Sequence, residues 1–224
     1  MSSSSRPRGS SSRRRGIAIA AAGTAAVAVA AGALLMTAQH PAATAAAPSG
    51  SSFSDVQLAG WTGTPKALTT SSVTGGAAAS WCEAGLVADS SAPATVSDLD
   101  ERGAIASMLV TRGGYTAFCL ADGARQGMWE TVEAPGTAAL PRVGPSAIDL
   151  GSVDQHGTPA VSCAWGSAGT DVRSVVLHAG GRTITATVGH GFWTAWWPGA
   201  TPSDTMRADV TTAAGTTTIA LGDR

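Results

Sequence analysis

The chain has 224 residues, 13% of them charged, and a net charge of −1. That is enough for one ordinary domain plus a targeting segment, and too little charge for a coiled coil or a charged disordered chain. The balance conceals an asymmetry, because Arg6, Arg8, Arg13, Arg14 and Arg15 occupy the first fifteen positions with no acid among them, leaving nine basic against fifteen acidic side chains for the remainder. An acidic remainder without clustered Lys or Arg excludes a nucleic-acid binder, and the absence of asparagine excludes an N-glycosylation acceptor.

Residues 1–15 read as a disordered basic Ser/Arg tail. Residues 16–38 carry no charge, and Ile17 to Ala38 as a helix would extend about 33 Å, enough to cross a hydrocarbon core. Ala43-Thr44-Ala45 has the small-residue spacing that a signal peptidase cuts, so a retained transmembrane helix and a cleaved signal peptide both stand. In either case the positive end stays in the cytoplasm and the C-terminal bulk is exported. Ser12-Arg13-Arg14 resembles a twin-arginine signal, although Gly16 stands where such a signal has a bulky apolar residue, so both export routes stay open. Residues 39–54, with Pro41, Pro48 and Ser49-Gly50-Ser51-Ser52, read as a flexible linker.

Residues 55–224 are expected to form one exported domain, mainly β with antiparallel hairpins, arranged as a sandwich or an open barrel with one short helix. Thr74 to Val87 can wind as that helix after a polar Thr69–Ser72 cluster. Ile105–Val110 and Tyr115–Leu120, joined by Gly113-Gly114, read as a pair of strands. Gly180-Gly181 centres a second hairpin in which Leu177 faces Ile184, His178 faces Thr183 and Val176 faces Thr185, with the pairing expected to run on through Val175–Ala186 to Arg173–Val188. One face is then Val175, Leu177, Ile184, Ala186 and Val188, and the other is rich in Thr and Ser. After an aromatic segment at 192–197, Met206–Thr212 and Thr216–Leu221 form a last Thr-dense hairpin near Gly215.

The segment Gly166-Ser-Ala-Gly-Thr-Asp171-Val172, the Gly181-Arg-Thr-Ile-Thr-Ala-Thr-Val188 strand, Gly191-Phe-Trp-Thr-Ala-Trp-Trp-Pro-Gly199 and Thr211-Thr-Ala-Ala-Gly-Thr-Thr217 together resemble a group of exported or membrane-anchored actinobacterial proteins. Arg102-Gly103 to Cys119-Leu120 is similar to the middle of the same group. The resemblance implies a cell-envelope location and carries no activity with it. His190, where the group commonly has another polar residue such as Asn, and Cys163 depart from the pattern.

Three cysteines in an exported chain favour one disulfide. Of the three pairings Cys82 with Cys119 is preferred, since both lie in the loosely matched region and a bridge would close a loop of about 37 residues, tying helix to sheet. Cys163 is then a small buried side chain, an intermolecular bridge or a reactive thiol.

His156, His178 and His190 have none of the short spacings that bring three or four ligands onto a zinc ion, so no metal site and no cofactor are expected. Ser146, Ser152, Ser162 and Ser167 stand outside any Gly-x-Ser-x-Gly, and Glu130 and Glu133, three apart, are an ordinary surface spacing rather than a glycosidase pair. No catalytic set is expected. Phe192, Trp193, Trp196 and Trp197 are the one candidate binding surface: they either fill a small core or form a platform for a wall glycan or an envelope protein. The functional expectation is a non-enzymatic extracytoplasmic interaction module, with a small envelope hydrolase as the alternative.

Overall fold

The computed structural model describes residues 53–86, 91–123, 126–134, 136, 140–158 and 160–221. The basic tail, the apolar segment 16–38 and all of the linker except Phe53 and Ser54 lie outside the described residues. Among the described residues no helix is long and apolar enough to cross a membrane. Phe53 is 1% exposed and Ser54 caps the first helix, so the folded part includes the last two residues of the expected linker.

The protein is mainly antiparallel β, and the described residues carry two α-helices, α1 (Asp55–Ala59) and α2 (Val73–Gly85), where one was expected in the exported domain. In α1, Ser54 Oγ accepts from the Gln57 N–H while Gln57 Oε1 accepts from the Ser54 N–H, a reciprocal cap that lets five residues hold a helical turn. The second helix begins where Ser72 Oγ accepts the Gly75 N–H at 3.1 Å. Its buried stripe is Ala78, Ala79 and Cys82, side chains small enough to bring the helix close to a sheet.

That sheet has the order β1-β2-β3-β4-β5, from β1 (Lys66–Ala67), β2 (Thr95–Arg102), β3 (Ile105–Arg112), β4 (Tyr115–Ala121) and β5 (Gly127–Glu133). The Gly113-Gly114 hairpin pairs Arg112 with Tyr115 and continues to Ala106 with Ala121. Because side chains alternate, Ala106, Met108, Val110, Ala117 and Cys119 meet α2 on one face. Leu109, Phe118, Leu120, Met128 and Val132 meet a second sheet on the other. The Cys82–Cys119 disulfide joins α2 to β4, with the two Cα atoms 6.1 Å apart.

The second sheet runs β10-β11-β7-β6, from β6 (Ser152–His156), β7 (Val161–Ser167), β10 (Thr187–Gly189) and β11 (Phe192–Pro198). It is covered on both sides. Val161, Cys163, Trp165 and Trp196 pack toward the first sheet, while Ala164, Trp193, Ala195 and Trp197 pack toward the third. The third sheet, β13-β12-β8-β9, comprises β8 (Ser174–Ala179), β9 (Arg182–Thr185), β12 (Arg207–Thr212) and β13 (Gly215–Ala220). Val175, Leu177, Ile184, Ala208 and Val210 close the core against the middle sheet. The packing order is therefore helix, sheet, sheet, sheet, a stacked rather than a barrel arrangement.

Gly180 and Gly181 both have positive φ, 56° and 76°, as a two-residue turn of this hand requires. The expected pairs Val176–Thr185, Leu177–Ile184 and His178–Thr183 are present. The extension to Val188 is not. Beyond the bond from Ala186 N to Val175 O, the chain leaves the third sheet, and Thr187–Gly189 pairs with Phe192–Thr194 in the middle one. A buried polar knot occupies the crossing point. Arg102, 1% exposed, donates from Nη1 to Gly63 O at 3.1 Å and from Nη2 to Thr185 O at 2.5 Å, while Thr185 N donates to Gly63 O. Its neighbour Asp100 accepts from Ser107 Oγ at 2.9 Å and from Thr187 Oγ1. Thr185, whose backbone groups face away from β8, thus bonds to residues 63 and 102, and Thr187 bonds to Asp100 of β2.

Candidate functional site

The aromatic segment does not form a surface. Trp193, Trp196 and Trp197 are each fully buried, so they are core residues of the middle sheet and not a platform. Two of their ring nitrogens are satisfied internally, Trp193 Nε1 by Asp149 O at 2.8 Å and Trp197 Nε1 by Thr201 Oγ1 at 2.9 Å. A strand buried on both faces needs large apolar side chains at successive positions, which is why the run carries rings pointing both ways. Phe192 alone remains partly exposed.

Phe192 lines a cleft of about 470 Å³ where the first and middle sheets part at one end. Glu133, at the end of β5, and Leu140 form one wall; Ser167 and Phe192 form the other; Arg142 and His190 stand at the rim. The loop carrying Arg142 is pinned by Asp171 N donating to Pro145 O and Gly169 N donating to Ala147 O, each 2.8 Å. The lining therefore combines an aromatic edge with an acid, a guanidinium and an imidazole.

His190 sits on a strained backbone and contacts a carboxylate. It and Asp98, in the irregular part of β2, are the described non-glycine residues with positive φ, 50° and 54°. Such a backbone costs about 1 kcal/mol or more at each position and persists only where the surroundings enforce it. Here His190 Nδ1 lies 3.0 Å from Asp98 Oδ1. Gly189 makes the approach feasible, because a Cβ there would collide with the Asp98 carboxylate. With Nδ1 engaged, Nε2 is the ring nitrogen left to face a ligand.

A second cluster lies along the same inter-sheet seam. On β5, alternation places Glu130 on the inward face between Met128 and Val132; on β6 it places Ser152, Asp154 and His156 opposite Trp165, Cys163 and Val161. Glu130 Oε1 meets His156 Nε2, and Ser152 Oγ donates to Asp154 Oδ2 at 2.6 Å. Burial, with the nearby Asp154 carboxylate adding to it, pushes the Glu130 carboxyl up to about 7. Burial lowers His156, opposed by the attraction of Asp154. Cys163 is free and buried, and desolvation with the two carboxylates raises its thiol far above the ordinary range.

The three histidines among the described residues therefore go to three separate carboxylates: His156 to Glu130, His190 to Asp98, and His178 to Asp209 at 2.9 Å on the outer face of the third sheet. Hydrogen bonds from Thr218 and His178 lower the Asp209 carboxyl. Among the described residues no group of three or more His, Cys, Asp or Glu side chains is placed to hold a metal ion. Of the serines, Ser162 donates to Gly199 O at 2.7 Å and Ser146 reaches Asp171 at 3.5 Å, whereas Ser167 lines the cleft. Glu130 and Glu133 part company, one to the seam and one to the cleft.

Fold and site define a disulfide-linked antiparallel β protein of three stacked sheets with a mixed apolar and polar cleft at one end. Comparison with family models, with curated proteins and with solved structures finds no match to this chain.

Proposed function

We propose that the chain is a non-enzymatic interaction module of the cell envelope, exported through its N-terminal apolar segment, that binds a wall glycan or an envelope protein segment in the cleft between Glu133 and Phe192. The observation that carries the reading is the cleft's lining: a half-exposed ring offers a stacking face, while Glu133, Arg142 and His190 offer donors and acceptors at its rim. The buried Cys82–Cys119 bridge supports an oxidising destination outside the cytoplasm. Attachment by residues 16–38 and release after cleavage near Ala45 are both consistent with this location.

The test is cosedimentation of the full chain with purified cell-wall sacculi. The protein is expected to pellet with them, and Arg142→Ala, at an exposed position, is expected to weaken binding by about tenfold, the scale of one lost charge-assisted hydrogen bond. A protein that stays in the supernatant sinks the glycan form of the reading. One observation favours the hydrolase alternative: Ser167 and His190 line the same cleft, and His190 Nδ1 is engaged by Asp98. Labelling of Ser167 by a fluorophosphonate would establish that alternative, and its failure would remove it.

A further inference from the structure

We propose that Glu130, His156 and Asp154 form a proton-operated clasp between the first and middle sheets, closed while a proton is held between Glu130 and His156 and loosened when that proton leaves. The clasp is independent of what the cleft binds.

β5 is the last strand of the first sheet and β6 the last strand of the middle sheet, so each has a free edge and each is the strand of its sheet most easily released. Glu130 and His156 meet at the partly exposed margin of the apolar seam, their side chains 17% and 35% exposed, on the face that also carries Ser152 and Asp154. Every charged group facing Glu130 among the described residues comes from one side: Asp154 and His156 of β6, with the Cys163 thiol behind them on β7. On the other side β4 presents Phe118.

With one proton on the pair, a protonated carboxyl donates to the neutral imidazole, or an imidazolium faces a carboxylate; either form binds the strands together. When the proton leaves, a desolvated carboxylate stands beside the Asp154 carboxylate with only a neutral ring opposite it. Two anions in a partly desolvated seam repel, which favours opening of the edge strands.

The sign of the pH effect is set by the larger shift. Glu130 is raised from 4.5 to about 7, so its contribution to stability is present below 4.5 and lost as pH rises through about 7. The shift of His156 below 6.5 acts in the opposite sense, its contribution being present above 6.5 and lost as pH falls. Only the Glu130 shift is large, so the net effect is loosening toward alkaline pH.

Hydrogen exchange on the full chain in mild detergent tests this, with wild type and Glu130→Gln compared at the same pH so that intrinsic exchange rates cancel. Glutamine keeps the size of the side chain and donates to His156 as the protonated acid does. At pH 4.5 strands β5 and β6 should be nearly equally protected in both proteins. At pH 8.5 wild type should be protected at least about tenfold less than the variant in these strands, since the shift from 4.5 to about 7 exceeds one pK unit even after a discount for solvent screening, with the locally opening edge strand β13 unchanged. A wild-type to variant ratio that is the same at both pH values overturns the proposal. Should the variant fail to fold, the carboxyl carbon of wild-type Glu130 is titrated by NMR: a midpoint near 7 sustains the clasp, and one near 4.5 overturns it.

Discussion

The middle and third sheets share Val, Ala and Thr residues, with the tryptophans confined to the middle one, yet they obey different rules. On β8 and β12 buried and open positions alternate, with Val175, Leu177, Ala208 and Val210 inward and Ser174, His178, Arg207 and Asp209 outward. On β7 all seven residues are buried, and on β11 the five from Trp193 to Trp197 are. The difference follows from how many layers cover a sheet: one neighbour leaves a wettable face, two leave none. A Trp in the first case could be a binding platform, whereas in the second it can only be packing.

Substitutions can break this contrast in graded steps. The largest effect is expected from Trp197→Ala, which empties a fully enclosed site between two sheets and should destabilise the domain by about 3 to 5 kcal/mol in chemical denaturation. Next comes the link from α2 to β4. Cys82→Ser should lower stability by about 3 to 4 kcal/mol, since the bridge closes a 37-residue separation. Intact mass after alkylation checks the pairing itself: one reactive thiol, Cys163, in the denatured unreduced wild type and three after reduction.

Smaller shifts sharpen the comparison. Glu130→Gln should stabilise the protein at pH 8.5 by about 1 to 2 kcal/mol, discounted for the partial solvent contact of the carboxyl, and should leave it nearly unchanged at pH 4.5; thermal melts at the two pH values read this directly. At the bottom of the scale, Thr211→Ala on the open face of the third sheet removes a hydroxyl contact of 2.9 Å to Thr216 and should change stability by less than about 0.5 kcal/mol.

What can be read from the residues is what is local. The Gly113-Gly114 and Gly180-Gly181 turns announce themselves, because paired glycines between β-branched runs have few other uses. The helix at Trp81 and the Thr-rich last hairpin are legible for the same reason. The departure at Ala186 is not, since the residues that meet the chain there, Arg102 and Gly63, lie far away in the sequence. Nor is the cleft, whose Asp98–His190 contact spans 92 positions. The clasp leaves one local trace: the Met128-x-Glu130-x-Val132 alternation puts a carboxylate on an apolar face, a pattern that marks a buried partner from the residues alone. The aromatic run is ambiguous on its own terms, because rings on both faces suit a doubly covered strand as well as an exposed one.

The central claim is that the middle sheet is sealed from both sides, and residue-resolved hydrogen exchange of the native protein tests it most directly. The account predicts that the amides of β7 and β11 exchange only through global unfolding, while those of β13, at the free edge of the third sheet, exchange through local opening and much sooner. Exchange at Trp196 and Trp197 as fast as at Thr217 would contradict it, and would return these rings to the surface.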